Sequence, residues 1–101
     1  MKISASSIGL SAVDTAHTRL ANAAHNVANL QTQDFRNRRT QMLEQEGGGV
    51  RAVTSIDAEP AAVDLADEAV NMMLAELQAK AAARVVGKQE DLTGYLLDVL
   101  A

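Results

Sequence analysis

From residue 6 to residue 30 the apolar side chains return at helical spacing. Val13, Leu20 and Val27 stand seven apart, Ala16, Ala23 and Leu30 form a companion row three residues on, and Leu10 and Ala24 broaden the stripe. Such a pattern gathers its apolar positions on one face of a helix and suits an a/d seam. A helix over 6–30 is therefore predicted. Ser6 or Ser7 can cap its start, and Asn29 with the polar run Gln31-Thr32-Gln33-Asp34 marks its end.

A second periodic stretch occupies the other end of the chain. Val70, Leu74, Leu77, Ala81, Val85, Lys88, Leu92, Leu96 and Val99 follow steps of four, three and four, an 11-residue repeat of about 3.67 residues per turn that predicts a nearly straight or slightly right-handed seam. Asp64 is placed to cap this helix, and Asp67 and Glu68 suit the positive end of its dipole. Lys88 interrupts the stripe, and Gly87 and Gly94, each costing about 1 kcal/mol relative to Ala, predict a bend or fraying in the last turns. On this spacing Leu20 and Leu77 are expected to be buried where the two helices meet.

Between these stretches the pattern changes. Gly47-Gly48-Gly49 gives the backbone its greatest freedom, and Val50, Val53, Thr54 and Ile56 favour an extended conformation. The middle is expected to be a loop with at most one short strand or hairpin, closed by Pro60, which pushes Glu59 away from helical geometry. The predicted class is all-α: two long antiparallel helices, an extended helical hairpin or coiled coil, with a short extended or β-like middle. Its parts are residues 1–35, 36–62 and 63–101. A two-helix seam buries little, so the hairpin is expected to need partners to stay folded.

Composition narrows the function classes. The 101 residues include only two aromatics, Phe35 and Tyr95, although 48% are hydrophobic, so the apolar content is mostly small or aliphatic side chains suited to close helix packing. A net charge of −4 repels phosphate backbones and argues against nucleic acid. There is no cysteine for a disulfide or thiolate site. Residues 1–7 lack the apolar core of a secretory signal, and no run of about 18 apolar residues could span a bilayer.

Candidate chemistry is sparse. His17 and His25, eight residues apart on one helix, are separated by about 12 Å along its axis, too far to share a metal. Asp64, Asp67 and Glu68 read as a helix start, with no histidine, cysteine or phosphate loop converging on them. Neither an enzyme nor a cofactor is expected, and no small-molecule substrate. Arg36, Arg38 and Arg39 either meet an acidic partner surface or form a solvated run. Asn26 and Asn29, polar beside an apolar seam, can fix register and partner choice by hydrogen bonding.

The stretch Ala24-His25-Asn26-Val27-Ala28-Asn29-Leu30-Gln31-Thr32-Gln33-Asp34-Phe35-Arg36 resembles the N-terminal signature of bacterial flagellar rod, hook and hook-associated proteins. That pattern reads roughly A-N-N-I-A-N-x-x-T-x-G-F/Y-K/R. It is met at Ala24, Asn26, Ala28, Asn29, Thr32, Phe35 and Arg36, with Val27 nearly equivalent. Val63-Asp64-Leu65-Ala66-Asp67-Glu68-Ala69-Val70-Asn71-Met72-Met73-Leu74-Ala75 is similar to the same family's C-terminal signature, and Gly94, Leu96, Leu97 and Asp98 continue it. His25 stands where the family usually has Asn, Asp34 where it has Gly, Ala79 where it often has Tyr, and Ala82 where it often has Asn. The Asp34 departure predicts a reshaped turn, because Gly tolerates a positive φ more easily.

The resemblance implies a minimal, proximal-rod-like structural subunit of the flagellar basal body that polymerises through its paired terminal helices. It implies export through the flagellar type III apparatus without a cleaved signal peptide. Its partners would be other copies and other rod proteins, and its place the extracytoplasmic basal body. The expected assembly residues are Leu20, Ala24, Asn26, Val27, Ala28, Asn29, Thr32 and Phe35 in the first signature, and Leu65, Val70, Met73, Leu77 and Leu96 in and beyond the second. Phe35, an aromatic in a polar segment, is the expected anchor on a neighbour. The alternative is a cytoplasmic helical-hairpin adaptor that occupies a partner's coiled-coil groove.

Overall fold

The computed structural model describes residues 5–100. The chain runs α1 (Ala5–Ala28), β1 (Arg38–Glu44), β2 (Val50–Ile56) and α2 (Leu65–Leu100). The two strands pair antiparallel in full register, from Arg38 opposite Ile56 to Glu44 opposite Val50. The all-α class is therefore overturned: the fold is mixed, two helices with a two-stranded sheet. The extended run after the glycines finds its partner in Arg38–Glu44, which the sequence pattern leaves as a loop. Gly47, Gly48 and Gly49 turn the chain with φ of 91°, 111° and 87°, values costly for any residue with a Cβ.

Both helices are close to their expected spans. The cap at α2 is made by Asp64, whose Oδ1 accepts from the N–H groups of Ala66 (3.0 Å) and Asp67 (3.2 Å). The expected serine cap of α1 is not made. At the start, α1 already runs through Ala5, so Ser6 and Ser7 lie inside it. At the far end, α2 continues unbroken through Gly87, Lys88 and Gly94 to Leu100. At 36 residues α2 is about 54 Å long, most of the molecule's 64 Å long axis.

The helices lie antiparallel, and of the predicted seam only the Ala16 and Ala23 row of α1 is used. Gly9, Ala16 and Ala23, seven apart on α1, face Glu68, Ala75 and Ala82, seven apart on α2, and all six are buried. Contacts rising along α1 fall along α2. Gln78 Nε2 donates to Ala12 O (3.1 Å), Arg19 Nη2 to Asn71 Oδ1 (3.4 Å) and Asn26 Nδ2 to Glu68 Oε1 (3.1 Å). Small residues let the backbones approach closely: a Cβ built on Gly9 would stand 2.5 Å from Val86 Cγ2. The larger side chains are turned out. Leu20 is 41% exposed and Leu77 64%, and Val70, Leu74, Val85, Leu92, Leu96 and Val99 are exposed as well. A leucine stripe of that bulk would hold the backbones apart, whereas alanine and glycine gain dispersion contacts along the whole crossing.

The β-hairpin packs against α1 alone, so α1 is covered by two neighbours and α2 by one.

Candidate assembly interface

The hairpin is fixed to α1 by a polar row. Ser11, Thr15, Asn22 and Asn26 follow steps of four, seven and four, which bring them to one side of the helix. Ser11 Oγ accepts from Val50 N–H (3.1 Å) while donating to Ile8 O (2.7 Å). Asn22 Nδ2 donates to Thr40 Oγ1 (2.7 Å) and Thr54 Oγ1 (3.0 Å), hydroxyls that are cross-strand partners. Thr15, 1% exposed, turns its own hydroxyl back to Ser11 O (2.9 Å).

Asn26 closes the row and joins three elements. It is 1% exposed. Its Oδ1 accepts from Arg38 N–H (2.9 Å), its Nδ2 donates to Arg38 O (2.8 Å), and the second amide hydrogen goes to Glu68 Oε1. The side chain thus imitates a neighbouring strand at the outer edge of β1 while anchoring the first turn of α2. There the helix dipole favours the Glu68 carboxylate. Both amide hydrogens of Asn26 are used inside the chain.

The other signature residues build the turn that follows. Asn29 Nδ2 donates to His25 O (2.9 Å), and its Oδ1 accepts from Thr32 Oγ1 (3.1 Å). Phe35 is half-buried, its ring tilted at 44° to that of His25 with centroids 5.6 Å apart, and its carbonyl accepts from Ala61 N–H (3.1 Å). Phe35 is thus partly engaged within its own chain. Asp34 adopts a left-handed φ of 57°, a conformation that glycine takes freely and that a short polar side chain reaches at modest cost. Asn37 donates to Ala61 O (3.3 Å), and among the described residues its buried Oδ1 has no hydrogen-bond partner.

The arginine cluster is divided. Arg39 forms a two-point pair with Asp57 (Nε to Oδ1 2.6 Å, Nη2 to Oδ2 3.0 Å) across the hairpin. This hydrogen-bonded pairing holds the Asp57 carboxyl below the usual carboxylate range and raises Arg39. Arg38 contributes its backbone to Asn26, and the Arg36 side chain is exposed.

Of the remaining expected assembly residues, Ala24, Ala28, Thr32, Leu65, Val70, Met73, Leu77 and Leu96 are exposed and Val27 is half-buried. Three of them, Val70, Met73 and Leu77, belong to two surfaces. One is an open groove of about 500 Å³ between the helices, lined by Ala16, His17, Leu20, Met72, Met73 and Ala79 among others. The second is a ridge of Val70, Leu74, Leu77, Ala81 and Val85, which at about 100° per residue runs along a neighbouring stripe of α2 and borders the groove where Leu77 stands one turn from Met73. The polar row had a readable signal in its spacing, but hydroxyl and amide residues on a helix read first as a solvated face. Among the described residues no cluster of three or more His, Asp or Glu could hold a metal ion, and no helix is long and apolar enough to cross a membrane. No protein-family model and no curated protein matches the chain.

Proposed function

We propose that this chain is a structural subunit of the bacterial flagellar rod, built to polymerise through its helices rather than to catalyse. The observation that carries the reading is the unpartnered apolar ridge of α2. A helix that packs on one neighbour and turns its valines and leucines outward places its main hydrophobic driving force outside the monomer. The resemblance of residues 24–36 and 63–75 to the rod-family signatures supplies the particular assembly, and the two stretches meet at the Asn26–Glu68 contact. The partners are then further copies and other axial proteins, with export through the type III apparatus to the basal body.

Electron microscopy of basal bodies from a deletion strain tests the proposal. Truncated or missing rods and lost motility are expected. Normal rods, with the protein recovered only from the cytosol, would instead favour an adaptor offering its ridge to a soluble partner.

A further inference from the structure

Past the crossing with α1, α2 runs on without support. The crossing reaches Val86, which lies over Gly9, and every residue from Glu90 to Leu100 is exposed. A helical run of that length is marginal in water on its own. Its apolar positions are nevertheless ordered. At about 100° per residue, Ala81, Val85, Leu92, Tyr95, Leu96 and Val99 fall within an arc of about 100°, set to one side of the Ala75 and Ala82 seam. Lys88 stands in the same stripe.

The charges along this stripe are sorted by sign. Arg84 and Lys88 come first and Asp91 and Asp98 follow, with Arg84, Asp91 and Asp98 on one edge of the stripe. The other edge, formed by Gln89, Thr93 and Leu100, carries no charge. Arg84, Lys88, Asp91 and Asp98 are all exposed, and among the described residues none of their side chains makes an ion pair or hydrogen bond. A basic block followed by an acidic block complements a reversed copy of itself. In an antiparallel pair related by a two-fold axis the same edge of each helix meets, so basic faces acidic twice over. A parallel pair would stack Lys88 on Lys88 inside the seam and set the charged edge against the uncharged one.

We infer that two copies of this chain pair antiparallel through residues 81–99 of α2, centred near residue 90, with Lys88 and Arg84 of each copy meeting Asp91 and Asp98 of the other. In this register Val85 lies opposite Tyr95 and Ala81 opposite Val99, a smaller side chain facing a larger one each time. Each α1 covers its own α2 only short of residue 90, so the two α1 helices stand at opposite ends of the pair and do not collide. The contact is isologous and closes on itself, and it leaves Val70, Leu74 and Leu77 open on each copy. It belongs to the free chain: an array whose copies all point one way has to exchange it for another contact, so it stands apart from the rod reading.

With no native cysteine, disulfide trapping reads the arrangement directly. Purified full-length Val85→Cys and Tyr95→Cys variants, mixed and gently oxidised, should give the 85–95 link in at least fivefold excess over 85–85 and 95–95. The chain carrying both substitutions should stop at dimer under non-reducing denaturing conditions. Sedimentation equilibrium supplies the charge test. The pair Arg84→Glu with Lys88→Glu, and the pair Asp91→Lys with Asp98→Lys, should each weaken dimerisation at least tenfold, and mixing the two variant chains should restore it. Predominant 85–85 and 95–95 links would overturn the antiparallel direction, and a ladder of higher species would overturn the closed pair. Linkage no greater than that of Ala83→Cys, on the far side of the helix, or charge variants that dimerise as the parent does, would overturn the contact altogether. All the substituted positions are exposed, so the helix content of each variant should match the parent by circular dichroism at matched association state. Every readout uses isolated protein and is separate from the rod phenotype of the deletion strain.

Discussion

The two helices are similar in mean hydropathy and opposite in how they are used. α1 is covered on two sides, by small residues against α2 and by a hydrogen-bonded polar row against the hairpin, and what it buries is largely alanine, threonine and asparagine. α2 meets α1 through Ala75, Ala82 and Val86 and leaves its leucines and its other valines outside. Order within the monomer thus comes from directional bonds and close approach, whereas the side chains with the largest transfer free energy are held for contacts between molecules.

Substitutions on the two sides should therefore separate folding from assembly. Asn26→Ala is expected to have the largest effect on the monomer. It removes three hydrogen bonds and leaves the Arg38 backbone and the Glu68 carboxylate unpaired, a loss of about 2–4 kcal/mol. A thermal melt that moves by less than the equivalent of about 1 kcal/mol would show that solvent replaces Asn26 easily.

Next in size is Ala75→Leu. The seam has no room for three further carbon atoms, and overpacking of this kind costs about 1–3 kcal/mol. Unchanged stability would mean that the helices sit further apart than their small residues imply.

Leu77→Ser should behave in the opposite way. The monomer melt should stay within about 0.5 kcal/mol of the parent, as for an exposed position, while the rise in helicity and thermal midpoint with protein concentration is weakened. A large loss of monomer stability would place Leu77 inside the fold. The smallest effect is expected at the turn, where Asp34→Gly relieves a left-handed residue and adds about 0.5 kcal/mol; a loss would show that the Asp34 carboxylate stabilises the turn through its own contacts.

Much of this architecture was readable in the chain. The 3.6-residue period marked both helices, Asp64 marked the start of α2, and three consecutive glycines marked the turn. The facing of the helices was readable only in part: the Ala16 and Ala23 row of α1 was marked, but periodicity reports where bulky apolar residues line up and not whether the chain or a neighbour buries them. Alanine and glycine, which form the actual seam, carry too little hydrophobic signal to outweigh leucine. The first strand was hidden for a related reason: Arg38–Glu44 has few β-branched residues, and it is held by Asn22 and Asn26, whose amides look solvated until their partners are in place. At the signature turn the Asn26 pattern was legible, but its use within the chain was not.

The alanine seam also has a thermodynamic consequence. Heat-capacity change on unfolding, and with it the curvature of stability against temperature and the sensitivity to urea, scales with the apolar surface newly exposed to water. A monomer joined by alanines and amides exposes little more when it unfolds, so its calorimetric transition should be broad and its stability curve flat, below the usual value of about 12–15 cal/mol/K per residue. The heat-capacity signature of hydrophobic burial would appear instead on dilution, when copies separate and the leucines of α2 return to water.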